Sequence, residues 1–131
     1  MSNYKIVQRD DVDDILGDYP GEMLMYSGPL DSKQVALTWR RMPAQTGSKG
    51  SYGHSHRTQE ELILVLSGNV EVKLDDDIVE LGPGAAVRMD PPCVRGVWNE
   101  GPDDAEIVIV STRSEDLGSE FDKHEDFWPA D

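Results

Sequence analysis

The chain has 131 residues, 26 of them acidic against 12 basic, a formal net charge of −14, three histidines and one cysteine. So negative a surface repels phosphate backbones and anionic lipid headgroups, which argues against nucleic-acid and membrane partners. One cysteine excludes an internal disulfide, and with it the small stapled scaffolds of the secreted world.

Val, Ile, Leu and Phe supply about 23% of the residues, just above the roughly 20% below which a highly charged chain stays disordered. The longest apolar runs, 62–66 and 107–110, fall far short of the ~20 residues of a membrane helix. The opening MSNYKIVQRDDVDD has no apolar h-region, so no signal peptide is expected and the location reads as cytoplasmic. The length suits one domain over residues 1–131, with a barrel core at about 34–112 and an acidic tail at 114–131.

In chain order, the first 30 residues read as irregular, with a short strand candidate at 4–8 and an acidic run at 10–14. That run lacks the spacing of a calcium loop and reads as a solvated turn or short helix. From Gln34 onward strands follow one another. Val35, Leu37 and Trp39 alternate with polar or smaller residues, the period-two pattern of a half-buried strand. Gly47, Gly50 and Gly53 mark an irregular connection, and 62–66 is a β-rich run stopped by Ser67-Gly68-Asn69. Further strands are expected at 70–74, 78–81, 85–89, 94–98 and 105–112, separated by Asp, Gly and Pro turns. Short strands at even spacing with no long helical period predict an all-β sandwich or barrel. The tail carries seven acids and one lysine, yet holds Phe121, Phe127 and Trp128. It predicts a short helix over 115–122 and docking of Phe127 and Trp128 on the barrel.

His54 and His56 carry the chemistry. On a strand, residues i and i+2 project from one face, so both imidazoles can reach one point. Glu60 and Glu61 follow after a short turn, and a carboxylate at the head of the next strand would face the histidine pair across the ladder. Two histidines and one carboxylate with open positions opposite suit Fe(II), and also Mn(II) or Zn(II). The competing reading is a surface H-x-H among solvated acids. Cys93 reads as a small half-buried residue at a rim, and His124 as an exposed residue of the tail. Tyr52, Trp39 and Trp98 are candidates for the pocket mouth or for plain core. No nucleophile elbow surrounds Ser51, Ser55 or Ser67, and Gly47-Ser48-Lys49-Gly50 is not a phosphate loop.

The run Gly53-His54-Ser55-His56, Glu61 and Gly68 resembles the first motif of the cupin superfamily, and Gly82-Pro83-Gly84 through Asn99 resembles its second. The resemblance spans residues 35–112. It implies a double-stranded β-helix, a jelly-roll barrel with its site inside one open end, flanked by a short irregular N-terminal segment and a short C-terminal helix or tail. It also implies a divalent transition metal, Fe(II), Mn(II), Zn(II) or Ni(II), held by His54, His56 and Glu61, the six residues between Glu61 and Gly68 selecting Glu61 over Glu60. In the slot where the second motif has a third histidine stands Arg95, which cannot ligate a metal. Pointing inward, Arg95 would pair with Glu61 in place of a metal, or act as the catalytic candidate that holds a substrate carboxylate or steadies developing negative charge. The function implied is a metal-binding cupin acting on a small polar or aromatic metabolite by dioxygenase, isomerase or lyase chemistry. The alternative is a non-enzymatic binding or sensor module with a degenerate site. A homodimer is expected from the exposed edges of small jelly rolls, and among the 26 acids only Glu61 is singled out for a functional role.

Overall fold

A computed structural model describes residues 3–114 and 116–131. The strands are β1 (Glu22–Met25), β2 (Val35–Met42), β3 (Thr46–Gly47), β4 (Ser51–His56), β5 (Glu61–Ser67), β6 (Val70–Leu74), β7 (Asp77–Leu81), β8 (Ala86–Met89), β9 (Arg95–Asn99), β10 (Ala105–Thr112) and β11 (Phe121–Trp128). One four-residue helix, α1 (Leu117–Glu120), precedes β11. The pairing is antiparallel throughout: one sheet runs β1-β2-β10-β5-β8, and the other runs β11-β4-β9-β6-β7 with β3 added on β9. The expected all-β jelly roll is therefore the fold observed.

Alternation places the core between the sheets. Along β5, Glu61, Ile63 and Val65 turn inward while Leu62, Leu64 and Leu66 stay exposed. Met42, Ile63, Val65, Met89, Ala105 and Ile107 of one sheet pack with Val70, Val72 and Val97 of the other. Gly68 closes the β5–β6 hairpin with φ +71°, and a Cβ there would stand 2.4 Å from the Asp104 carbonyl oxygen. The motif glycine is thus demanded by its turn.

Three local expectations change. Residues 4–8 form no strand: Tyr4 and Ile6 are 75% and 72% exposed and no neighbouring strand offers them a ladder. β1 lies within the stretch read as irregular. Its four residues, Glu-Met-Leu-Met, are too few to show a period, and pairing with β2 decides their state. The C-terminal helix exists as α1, and Glu115 of its expected span lies outside the described residues. Behind it, Phe121–Trp128 is an edge strand paired with β4. Its alternation is hidden by charge, but docking of the aromatics holds: Trp128 is 2% exposed, and Phe127 fills the space over Gly53, where a Cβ would stand 2.3 Å from its ring. No helix among the described residues is long and apolar enough to cross a membrane.

Candidate metal centre

His54 and His56 share the inward face of β4, as the period of two requires. Glu61 does not face them across a ladder, because β5 belongs to the other sheet. The ladder partners of His54 are Arg95 of β9 and Lys123 of β11. Glu61 instead reaches the histidines across the barrel interior, at the point where residues 57–60 carry the chain from one sheet to the other. The result is a cluster in which one donor atom from each of His54, His56 and Glu61 lies within 4.8 Å of the others. Glu60 is exposed and outside the cluster, so the choice between the two neighbouring glutamates falls on Glu61.

Burial sets the charge states. The His54 pKa is pushed down to about 3, first by desolvation and then by the Arg95 charge. His56 is lowered by the same two causes in the same order. Burial raises the Glu61 carboxyl, and Arg95 pulls it back. Both imidazoles are therefore neutral at ordinary pH, with lone pairs to offer. Neither ring nitrogen of His56 has a hydrogen-bond partner among the described residues, although both are buried. His56 Nε2 stands 3.7 Å from Glu61 Oε2 and Nδ1 3.9 Å from Glu120 Oε1. Buried donors left without partners carry a cost that a ligand would remove. Two neutral imidazoles and one carboxylate converging with unpaired lone pairs fit a divalent ion.

Arg95 points inward and is 1% exposed. Its Nη2 donates to the Asp90 carbonyl at 3.0 Å, while Nε and Nη1 have no partner among the described residues. The expected alternative of an Arg95–Glu61 ion pair is not formed: the two charges feel each other without reaching contact distance. Arg95 therefore stands beside the cluster as a buried cation, opposite in charge to the carboxylate it does not touch.

The C-terminal segment completes the surroundings, a contribution that the sequence reading missed. Phe121 stacks on His54 with ring centroids 4.8 Å apart and planes 15° from parallel. Glu120 is 4% exposed and is therefore no solvated acid. Burial pushes its carboxyl up, but hydrogen bonds from Thr58 and Gln59 outweigh that and hold it below the usual range. A cavity of about 500 Å³ lined by His56, Gln59, Gly118, Glu120 and Phe121 opens beside the cluster. These residues come to the site through pairing of β11 with β4, far apart in the chain, and no local pattern reveals that pairing.

The remaining candidates lie elsewhere. Cys93 is half-buried beside the Val94 carbonyl, with its thiol raised by burial. His124, half-buried rather than exposed, bonds to Ser55 Oγ at 2.9 Å on the other face of β4. Trp39 lies under the Arg9 guanidinium, Trp98 donates to Glu100, and Tyr52 carries Lys123 over its ring, so none of the three is needed by the cluster.

A family model described as the cupin domain matches residues 40–111. Among solved structures, the chain is similar to the polyketide cyclase RemF from Streptomyces resistomycificus, with 20% identity over 94% of this chain and 85% of that one, at a TM-score of 0.73. A sugar phosphate isomerase of the cupin superfamily from Silicibacter pomeroyi aligns over 97% of each chain at 18% identity and a TM-score of 0.68. A cupin protein from Bacteroides fragilis shares 20% identity over 89% of this chain and 90% of its own, again with a TM-score of 0.68. A search of curated proteins gives no match. At these identities the structural likenesses speak to the fold.

Proposed function

The chain belongs to the cupin family, and on that premise we propose that it is a metal-binding cupin acting on a small polar or aromatic metabolite that carries an anionic group. The observation that supports this is the convergence of three donors within 4.8 Å beside a buried guanidinium that no carboxylate contacts among the described residues. His54, His56 and Glu61 would hold the ion. Fe(II), Mn(II), Zn(II) and Ni(II) all suit imidazole and carboxylate donors. When bound, such an ion supplies Lewis-acid polarisation or, as iron, dioxygen chemistry, with open positions for substrate oxygens. Arg95 binds the anionic group of the substrate or steadies negative charge that develops during reaction. Phe121, stacked on His54, shields that ring from water and offers an apolar wall. Dioxygenation, isomerisation and lyase chemistry all remain within reach of this fold, since fold alone does not select a reaction.

Arg95 also favours a second reading, a metal-free small-ligand-binding module in which its charge alone holds the ligand. Metal analysis of protein purified without chelators separates the two. The first reading expects bound transition metal that is lost when His54 and His56 are both replaced by Ala. It fails if no metal is found and added Fe, Mn, Zn, Ni or Co leaves the thermal midpoint unchanged.

The outer face of the first sheet leaves Val35, Leu37, Leu62, Leu64 and Leu66 each 36–51% exposed, an apolar surface suited to a second copy of the chain, so the proposal includes a homodimer. A monomer mass in solution would remove that part. A single free cysteine suits the reducing cytoplasm, where we place the protein.

A further inference from the structure

We infer that Glu120 is a positioning residue of the site: delivered by the C-terminal segment, it fixes the turn between the ligand strands and sets a charge beside the His56 ring. The inference rests on the reading of His56 as a metal ligand.

The turn at residues 57–60 links β4, which carries His56, to β5, which opens with Glu61. These strands lie in different sheets, so no ladder sets the distance between the two side chains. The turn sets it, and Glu120 holds the turn. Three consecutive backbone N–H groups donate to this one residue. Arg57 N–H reaches the Glu120 carbonyl at 3.0 Å, while Thr58 and Gln59 N–H both reach Oε1 at 2.6 Å. The Thr58 hydroxyl adds a bond to Oε2 at 2.7 Å. A carboxylate anchored by so many donors cannot drift toward solvent, which explains why it is buried while Asp122, Lys123 and Glu125 around it keep side-chain exposures of 45–71%.

The same anchored oxygen, Oε1, is 3.9 Å from His56 Nδ1, and Glu61 Oε2 is 3.7 Å from Nε2. The ring is bracketed by one carboxylate at each nitrogen. Neither is within hydrogen-bond distance; of the two, Glu120 is the one fixed by its donors, so its charge stands at a set place beside Nδ1 and favours the tautomer with the proton there. Nε2 then presents its lone pair toward Glu61, into the cluster. Outer carboxylates that accept the ring N–H of ligand histidines are worth roughly 10–100-fold in metal affinity, the upper scale for a charge set beside Nδ1. Glu120 and Phe121 also form one wall of the cavity beside His56, so the segment that sets the charge beside the ring also shapes its approach.

A purely structural clamp on the turn would produce the same hydrogen bonds, so the test separates clamp from ring partner. Glu120→Gln keeps an acceptor for the turn but removes the charge beside Nδ1. Thr58→Val removes one turn bond and leaves that charge in place. Nitrogen NMR on the metal-free protein reads the His56 tautomer, and Co(II) titration reads affinity. We expect Nδ1–H in the wild type, a loss of that preference in Glu120→Gln, and Co(II) binding in Glu120→Gln weaker by roughly 10-fold or more than in Thr58→Val. A wild-type proton on Nε2, or equal Co(II) affinity in the two variants, overturns the inference. If the wild type takes up no Co(II), the metal reading fails, and the tautomer alone decides the role of Glu120. Should Glu120→Gln not fold, the wild-type tautomer decides that role in the same way.

Discussion

The two halves of the site differ in what they bring to it. The β4–β5 half contributes neutral imidazoles and a carboxylate, groups that donate electron pairs. The β9 half contributes Arg95, which can only attract them. Elsewhere in this acid-rich chain four arginines find carboxylates: Arg9 and Arg41 meet Glu22, Arg57 meets Asp122 and Arg88 meets Asp90, at 2.9–3.3 Å, while Arg113 donates to the Ser27 and Ser32 carbonyls. Inside the barrel no such ion pair forms among the described residues. Arg95 has only the Asp90 carbonyl, and Arg40, turned inward two residues before buried Met42, has a buried Nε with no partner. A buried cation is stabilised by pairing or it is costly. Among the described residues neither meets a carboxylate in a chain with 26 acids, a want that the anionic ligand proposed above would answer.

The comparison breaks most severely if its common support is removed. Trp128 pairs with Ser51 of β4, accepts from Gly50 N–H through its carbonyl, and lays its indole over Gly96 of β9. It therefore braces both halves. Trp128→Ala should cost about 3–5 kcal/mol, the range for a buried aromatic, read by urea unfolding. A cost like that of a surface change would mean the C-terminal strand only decorates the barrel.

Converting the second half into the first is the next largest effect. Arg95→His exchanges a cation for a fourth donor. A unit charge 4 Å from another is worth about 4 kcal/mol at an effective dielectric of 20, so metal binding should tighten by roughly 100-fold or more. Competition titration checks this, and unchanged affinity would show that Arg95 does not act on the metal position. The same variant should lose affinity for anionic ligands, which sharpens the division of labour between the halves.

The charge state of the first half is tested by acid. His54 has a folded pKa of about 3 against 6.5 in a free chain. Between those values the unfolded chain holds a proton that the folded one does not, so stability is full above about pH 6.5 and falls as pH drops toward 3. From pH 7 to 5 this group alone should remove about 2 kcal/mol from the metal-free protein. Glu61, raised by burial, works in the opposite sense at lower pH and offsets part of the loss. The difference between wild type and His54→Phe isolates the histidine. Identical pH profiles would mean that His54 is not held neutral by burial.

Much of this was legible in the chain. The strand rhythm from Val35 to Thr112 follows from alternation and turn residues, and the resemblance of His54, His56, Glu61 and Gly68 to the cupin motif singles out the cluster. What stayed hidden is long-range. Glu61 meets the histidines across the barrel and not along a ladder, because the sheet to which β5 belongs depends on pairing with β8 and β10. Glu120 has the composition of a solvated acid, and its burial comes only from the turn that wraps it. Arg95 could be seen in the wrong slot, but its direction came from facing His54 on the ladder.

Position, not the presence of a charge, decides what an arginine is worth here. Arg57 lies in the turn next to His56, yet its side chain is 62% exposed and its partner Asp122 is 45% exposed at 3.3 Å. Solvent screening leaves such pairs below about 1 kcal/mol. Arg57→Ala keeps the backbone N–H that bonds to Glu120, so the turn survives. Unfolding free energy should move by less than about 1 kcal/mol, and metal affinity should not move at all. A gain of metal affinity on the scale expected for Arg95→His would mean that the exposed charge beside the turn reaches the cluster after all. The contrast between buried and surface arginines would then rest on something other than solvent.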